Sequence, residues 1–171
     1  GDSGGDSGGD CYAEQLLRRA DQILSLPDHV SFAQGAALGV PYGTAYRALI
    51  QRGAGKAGET VLVHGASGAV GTAALQIAAA NGITTIGTAG SQRGLDLIRE
   101  QGADHVLDHS QTGYLDAVAD LTNGKGPEII LEMLANVNLP KDMEIAAKYG
   151  RIVVIGNRGP VEINAREAMM K

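Results

Sequence analysis

Three glycines spaced three apart, Gly65, Gly68 and Gly71, are the residues here best suited to chemistry, because they let a phosphate approach bare backbone. They lie in Val61-Leu62-Val63-His64-Gly65-Ala66-Ser67-Gly68-Ala69-Val70-Gly71, which leads into Thr72-Ala73-Ala74-Leu75-Gln76-Ile77-Ala78. An apolar strand ends at Gly65, the chain turns through Ser67 and Gly68, and a helix begins near Val70. Small residues permit the sharp turn, the close approach of a pyrophosphate and tight packing of the helix on the strand. The start of the helix adds free N–H groups and a positive dipole end. Because Gly-x-x-Gly-x-x-Gly differs from the commoner Gly-x-Gly-x-x-Gly, its position between a first strand and a first helix carries the assignment.

That position needs a strand–helix series, and the sequence supplies one. Five apolar, β-branched runs, Thr60–His64, Thr84–Thr88, His105–Asp108, Glu128–Met133 and Arg151–Ile155, have starts 24, 21, 23 and 23 residues apart. The segments between them have helical character and end at Gly82, Gly102, Gly124 and Gly150, where glycine acts as a left-handed stop. Alternation of this kind predicts an α/β fold, with about five strands in a doubly wound parallel sheet and helices on both faces. The segments share no consensus, which excludes a solenoid. Ahead of the series, Ser31-Phe32-Ala33-Gln34 fits a capping box. It opens a short helix expected to end near Val40, where Pro41 breaks it, and Thr44 to Arg52 reads as a second helix.

Composition narrows the function further. A hydrophobic content of 44% in 171 residues gives one well-filled globular domain, and a net charge of −5 offers no basic face for nucleic acid. Cys11 is the only cysteine, so neither an intrachain disulfide nor a cysteine zinc cluster is expected. With no secretory leader, lipidation signal or apolar run of bilayer length, the chain is expected to be soluble and cytoplasmic. Residues 1–10 repeat Gly-Asp-Ser-Gly, and Gly-Asp-Ser-Gly-Gly matches the nucleophile motif of chymotrypsin-like proteases. A serine nucleophile needs a histidine, an aspartate and an oxyanion hole from a scaffold that mostly precedes it. A flexible linker or an expression remnant fits the repeat better.

The second strand bears on cofactor choice. It ends Gly87-Thr88-Ala89-Gly90-Ser91-Gln92-Arg93, with no acid before Asp96, although NAD-binding folds place an Asp or Glu there for the ribose hydroxyls. Without that carboxylate, Ser91 and Arg93 are free to meet a 2′-phosphate, which favours NADPH.

Leu26-Pro27, Ala36-Ala37, Thr44-Ala45-Tyr46, His64 through Gly71, Gly87 through Gly90 and Ile155-Gly156-Asn157-Arg158-Gly159 together resemble the medium-chain dehydrogenase/reductases. The run Glu132-Met133-Leu134-Ala135-Asn136-Val137-Asn138-Leu139 narrows the resemblance to the zeta-crystallin branch of NADPH:quinone reductases. The resemblance covers about residues 11–171, with Ala69 standing where that branch usually has glycine. It implies a Rossmann-like domain at residues 59–171, and at 11–58 the end of a catalytic domain with connecting helices. It further implies a barrel-like catalytic domain ahead of this chain, and a sixth strand beyond Lys171 through which relatives associate.

Carried onto these positions, the resemblance implies that Ser67, Gly68, Ala69, Val70 and Gly71 hold the pyrophosphate. Gly90 would lie beside the ribose phosphate with Ser91 and Arg93, and His109 would meet the adenosine half. Asn138 and the turn Ile155, Gly156, Asn157 and Arg158 would approach the nicotinamide half. The window Leu38–Tyr42, near which zinc-dependent relatives carry a metal-binding cysteine, has none, so no metal is expected. The implied reaction passes a hydride or electron from NADPH to a quinone or enone. No catalytic residue is named, because no triad or pair of carboxylates is apparent in the sequence. His29, His64 and His105 read as structural or surface residues, and Tyr114 as packing. The alternatives are a cofactor-binding module without turnover, an AU-rich RNA bound through the dinucleotide cleft, and an enoyl or alkenal reductase.

Overall fold

The computed structural model describes residues 13–171, so the Gly-Asp-Ser repeat and Cys11 lie outside the described residues. The chain divides into two compact units, Gly1–Gly35 and Ala36–Lys171. In the first, among the described residues, a 3-10 turn spans Ala20–Gln22, and its Asp21 makes an exposed ion pair with Arg19 at 2.8 Å. The capping box forms as expected: Ser31 N–H donates to Gln34 Oε1 at 2.8 Å, and Gln34 N–H donates to Ser31 Oγ at 3.3 Å.

The helix it opens, α1 (Phe32–Tyr46), does not stop at Pro41. It runs through the proline and widens into a π-helical stretch at Arg47–Arg52, joining the two helices the sequence suggested. Proline removes one hydrogen bond here, but the far end is anchored by Ala45, Ala48 and Leu49, all buried in the core. Tertiary packing of this kind outweighs a local breaker.

The second unit carries the sheet. Its elements are β1 (Thr60–Val63), α2 (Ala69–Ala80), β2 (Thr84–Ala89), α3 (Gln92–Glu100), β3 (His105–Asp108), α4 (Tyr114–Leu121), β4 (Ile129–Glu132), α5 (Ala135–Ile145), β5 (Arg151–Val154) and α6 (Ala165–Met170). The strands form one parallel sheet in the order β3-β2-β1-β4-β5, as expected for a doubly wound fold. Gly82, Gly102 and Gly124 take the predicted left-handed conformation (φ 67°, 81° and 74°). At the fourth stop the left-handed residue is Tyr149 (φ 63°), not Gly150. Gly150 is needed for closeness instead, since a Cβ there would stand 2.8 Å from the Ala147 carbonyl oxygen.

Alternation along the strands builds two cores. Val61 and Val63 of β1 and Ile129 and Leu131 of β4 pack with Leu49, Leu75 and Ile98 on the α1, α2 and α3 side. Leu62 and Ile130 face the other way, with Ile86, Val118 and Ala146 on the α4 and α5 side. Both faces are therefore dry, which is why the strands read as unbroken apolar runs. At the sheet's amino end, Arg151 donates to the Gly53 carbonyl at 2.7 Å and forks onto both Glu59 oxygens at 2.8 Å. The order of the strands reverses between β1 and β4, so a crevice opens above their carboxyl ends.

Candidate functional site

The glycine turn is built as its composition demands. Gly65 is left-handed (φ 57°), and the Gly65 and Ala66 N–H groups donate to the hydroxyl and carbonyl of Thr88 on β2, at 3.3 and 2.8 Å. A Cβ on Gly71 would lie 2.5 Å from Ala66 Cα, so only glycine lets α2 pack this closely on the turn. The extended Gly68 precedes α2 and provides no side-chain cap. The N–H groups of Ala69, Val70 and Gly71 consequently have no acceptor among the described residues, at a turn whose Gly68 and Ala69 are exposed. The methyl of Ala69 is exposed and crowds nothing in the turn.

The loop after β2 lies alongside. Ser91 caps α3 by accepting from Gly94 N–H at 3.2 Å, which leaves its own hydrogen free to donate. Arg93 is exposed and has no partner among the described residues. Asp96, the nearest acid in sequence, is occupied by Gln92 and Arg99, each at 2.8 Å. Asp108, beside Ala89 across the strand pair, accepts from the Ser110 hydroxyl and N–H and from Gln111. Those donors hold its carboxyl below the usual range, with the Ser110 hydroxyl contributing most. From Gly87 to Arg93 the chain carries no carboxylate.

His109, just past β3, covers Gly90: a Cβ on that glycine would stand 2.7 Å from His109 Nε2. Its Nδ1 lies 3.2 Å from the Thr88 hydroxyl, and its ring meets Tyr114 edge-on with centroids 6.4 Å apart. Thr88 thus ties the glycine turn to His109, a role its place in an apolar strand did not announce. On the far side the turn after β5 is stitched to the start of α5. Ala135 N–H donates to Gly156 O, and Arg158 N–H donates to the Asn136 side chain, both at 3.0 Å.

A pocket of about 330 Å³ lies at the carboxyl ends of β1 and β4, lined by His64, Gly65, His109, Tyr114, Met133, Leu134, Val137, Asn138 and Lys141. His109 and Asn138, expected at opposite halves of a dinucleotide, share this pocket. Tyr114, read as packing alone, also lines the wall. All the other expected residues, from the glycine turn, from Gly90 to Arg93 and from Ile155 to Arg158, lie at the same edge of the sheet.

Two carboxylates do come together, contrary to the sequence reading. Glu132 ends β4 and Asp142 stands on α5; both are 0% exposed, and His64 between them is 3% exposed. His64 Nε2 lies 2.8 Å from Asp142 Oδ1 and 3.6 Å from Glu132 Oε2. No spacing rule joins residues this far apart in sequence, and only the parallel sheet makes them neighbours. Among the described residues they are the one set with three groups suited to a metal. Their closest atoms stand 2.8 Å apart, the separation of a hydrogen bond, whereas two atoms bound tetrahedrally to zinc at ~2.0–2.1 Å stand about 3.3 Å apart.

No helix of the described residues is long and apolar enough to cross a membrane. The zinc-binding dehydrogenase family matches residues 69–171. The quinone oxidoreductase of Homo sapiens is 50% identical over 165 residues, 96% of this chain and 50% of that protein. The Mus musculus enzyme of the same name is 49% identical over 167 residues, again 96% of this chain and 50% of that protein. The chain thus spans about half the length of the curated relatives it matches. A quinone oxidoreductase of Pseudomonas syringae pv. Tomato DC3000 superposes with TM-score 0.75 at 32% identity, covering 86% of this chain and 46% of that one. AibC superposes with TM-score 0.79 at 30% identity, covering 85% and 41%. The glycine turn, the strand order and the family match agree that the chain belongs to the zinc-binding dehydrogenase family.

Proposed function

We propose that this chain is the dinucleotide-binding portion of an NADPH-dependent, zinc-free quinone oxidoreductase. The observation that carries the reading is the trio of open N–H groups at Ala69, Val70 and Gly71, beside a loop that offers Arg93 and no acid. The trio would hold the pyrophosphate, with Ser67 at the mouth of the turn. Ser91 and Arg93 would receive the 2′-phosphate, with Gly90 beside them under His109. His109 would meet the adenosine half and Asn138 would approach the nicotinamide half, both from the pocket they line. Ile155, Gly156, Asn157 and Arg158 would lie toward the nicotinamide half.

When bound, the nicotinamide supplies the hydride or electron that a quinone or enone receives. The protein's part is to orient the ring and keep water away. The acceptor class comes from relatives whose length this chain spans by half, which favours a second reading in which the isolated chain binds NADPH without turnover. Self-association, which the resemblance implies, belongs to the same proposal.

Calorimetric titration with NADPH and NADH at fixed salt tests the reading. Tight binding of NADPH with weak NADH is the expected result; equal affinity would overturn the 2′-phosphate assignment. A quinone turnover assay on the same sample separates enzyme from module, and displacement of NADPH by RNA would reveal a shared cleft.

A further inference from the structure

The buried group beneath the crevice has work to do that the phosphate turn does not explain. Glu132 Oε1 accepts from Leu134 N–H and from the Asn138 side chain, the latter at 3.2 Å. His64 Nε2 faces Asp142 Oδ1 at 2.8 Å. That leaves Glu132 Oε2 and Asp142 Oδ2, both fully buried and both without a hydrogen-bond partner, with His64 Nε2 3.6 Å from the former. Two ionised carboxylates within hydrogen-bonding reach of each other, each with such an oxygen in a dry interior, are strongly disfavoured. A single hydrogen between them satisfies both, because one carboxyl then donates to the other.

We propose that Glu132 and Asp142 share one proton beneath the cleft and act, with His64, as positioning residues for the bound dinucleotide. The geometry shows how they would act. Glu132 holds the β4–α5 turn and Asn138, Asp142 holds the middle of α5, and His64 ties both to the end of β1. All three elements line the pocket. Burial first, and then the hydrogen bond with Asp142, push the Glu132 carboxyl up to about 7. Leu134 N–H and His64 pull it the other way.

The other groups facing the dyad are few. Tyr114 approaches from α4, its hydroxyl pushed up by burial and by the charges of Asp142 and Glu132. His109 past β3 and Lys141 on α5 stand at the pocket wall above. The proposal rests on the crevice being the cofactor site, so its test separates the two claims.

The folded-state pKa of Glu132 lies above the ordinary 4.5. The stabilisation from keeping the proton is therefore complete below about 4.5 and is lost as pH rises through about 7. Without ligand, the melting temperature of the whole chain should fall between pH 6 and 8.5. The Kd for NADPH should rise about threefold over the same window, if binding shifts the shared proton by about half a unit.

Glu132→Gln carries the hydrogen permanently. Its carbonyl still accepts from Leu134 and Asn138, while its amide donates to Asp142. This variant should bind NADPH as the parent does at pH 6, with melting and Kd both flat from pH 6 to 8.5. A parent-like pH profile in Glu132→Gln would overturn the shared proton, and so would an upward shift in the parent's melting temperature with zinc. If NADPH binds at no pH, the cofactor reading and the positioning role fall together, while the melting profile still decides the proton. Should Glu132→Gln not fold, infrared difference spectra of the parent give the answer. A protonated carboxyl band at pH 6 that vanishes by pH 9 supports the proposal, and its absence overturns it.

Discussion

Replacing Gly71 by alanine adds one methyl group where the structure has no space for it. The new Cβ would lie 2.5 Å from Ala66 Cα and 2.7 Å from the Ala66 carbonyl carbon and oxygen. These are backbone atoms and cannot rotate aside, so either α2 lifts from the sheet or the turn from Gly65 to Gly68 opens. Overpacking of this kind costs about 1–3 kcal/mol. At about 2–4 °C per kcal/mol for a chain of this size, melting should fall by roughly 2–12 °C. Lifting the helix also moves the N–H groups of Ala69, Val70 and Gly71. Loss of one charge-assisted bond is worth about 1.5–3 kcal/mol, so NADPH should bind at least about tenfold more weakly. Gly39→Ala is the matched control, because nothing lies within 4 Å of its added methyl on α1. Alanine is the better helix former by about 0.5–1 kcal/mol, so that variant should melt no lower than the parent. Differential scanning calorimetry and NADPH titration read both effects. A Gly71→Ala chain that melts with the parent and binds NADPH equally well would refute the packing argument and the phosphate turn together.

Arg93→Ala removes an exposed cation without a partner, so it should leave melting unchanged, weaken NADPH by about tenfold and spare NADH; parallel titrations check this. Thr88→Val keeps the shape but removes the hydroxyl that accepts from Gly65 N–H and meets His109. It should cost about 1–3 kcal/mol in chemical unfolding and weaken NADPH binding as well. Arg151→Ala breaks the fork onto Glu59, whose carboxyl is held below its usual value chiefly by that hydrogen bond. The fork's contribution, about 1 kcal/mol, is present above pH ~4.5 and is lost as pH falls through the lowered value. The stability difference between parent and variant should therefore shrink in acid, as urea melts at pH 7 and pH 3.5 would show.

What the sequence revealed and what it hid differ in the range of the signal. Each strand was legible to within about a residue, because a dry parallel strand needs only its own β-branched run and a glycine stop nearby. The glycine turn was legible for the same reason: every residue that shapes it, apart from Thr88, lies between Gly65 and Gly71. Pro41 misled because the forces that carry α1 past it come from Ala45, Ala48 and Leu49 buried in the core, which no local rule weighs. The buried dyad was invisible for a stronger reason. His64 and Asp142 stand 78 positions apart, on elements that meet only after β4 inserts beside β1. Taken singly, a histidine after an apolar strand, a glutamate ending one and an aspartate within a helix have bland readings. Their meaning lies in two oxygens left bare by the fold, and a buried polar atom without a partner is a property of the packed chain alone. The strand order that opens the crevice also brings this charge beneath it. Holding these two carboxylates together beneath the pocket therefore calls for a proton that no motif records.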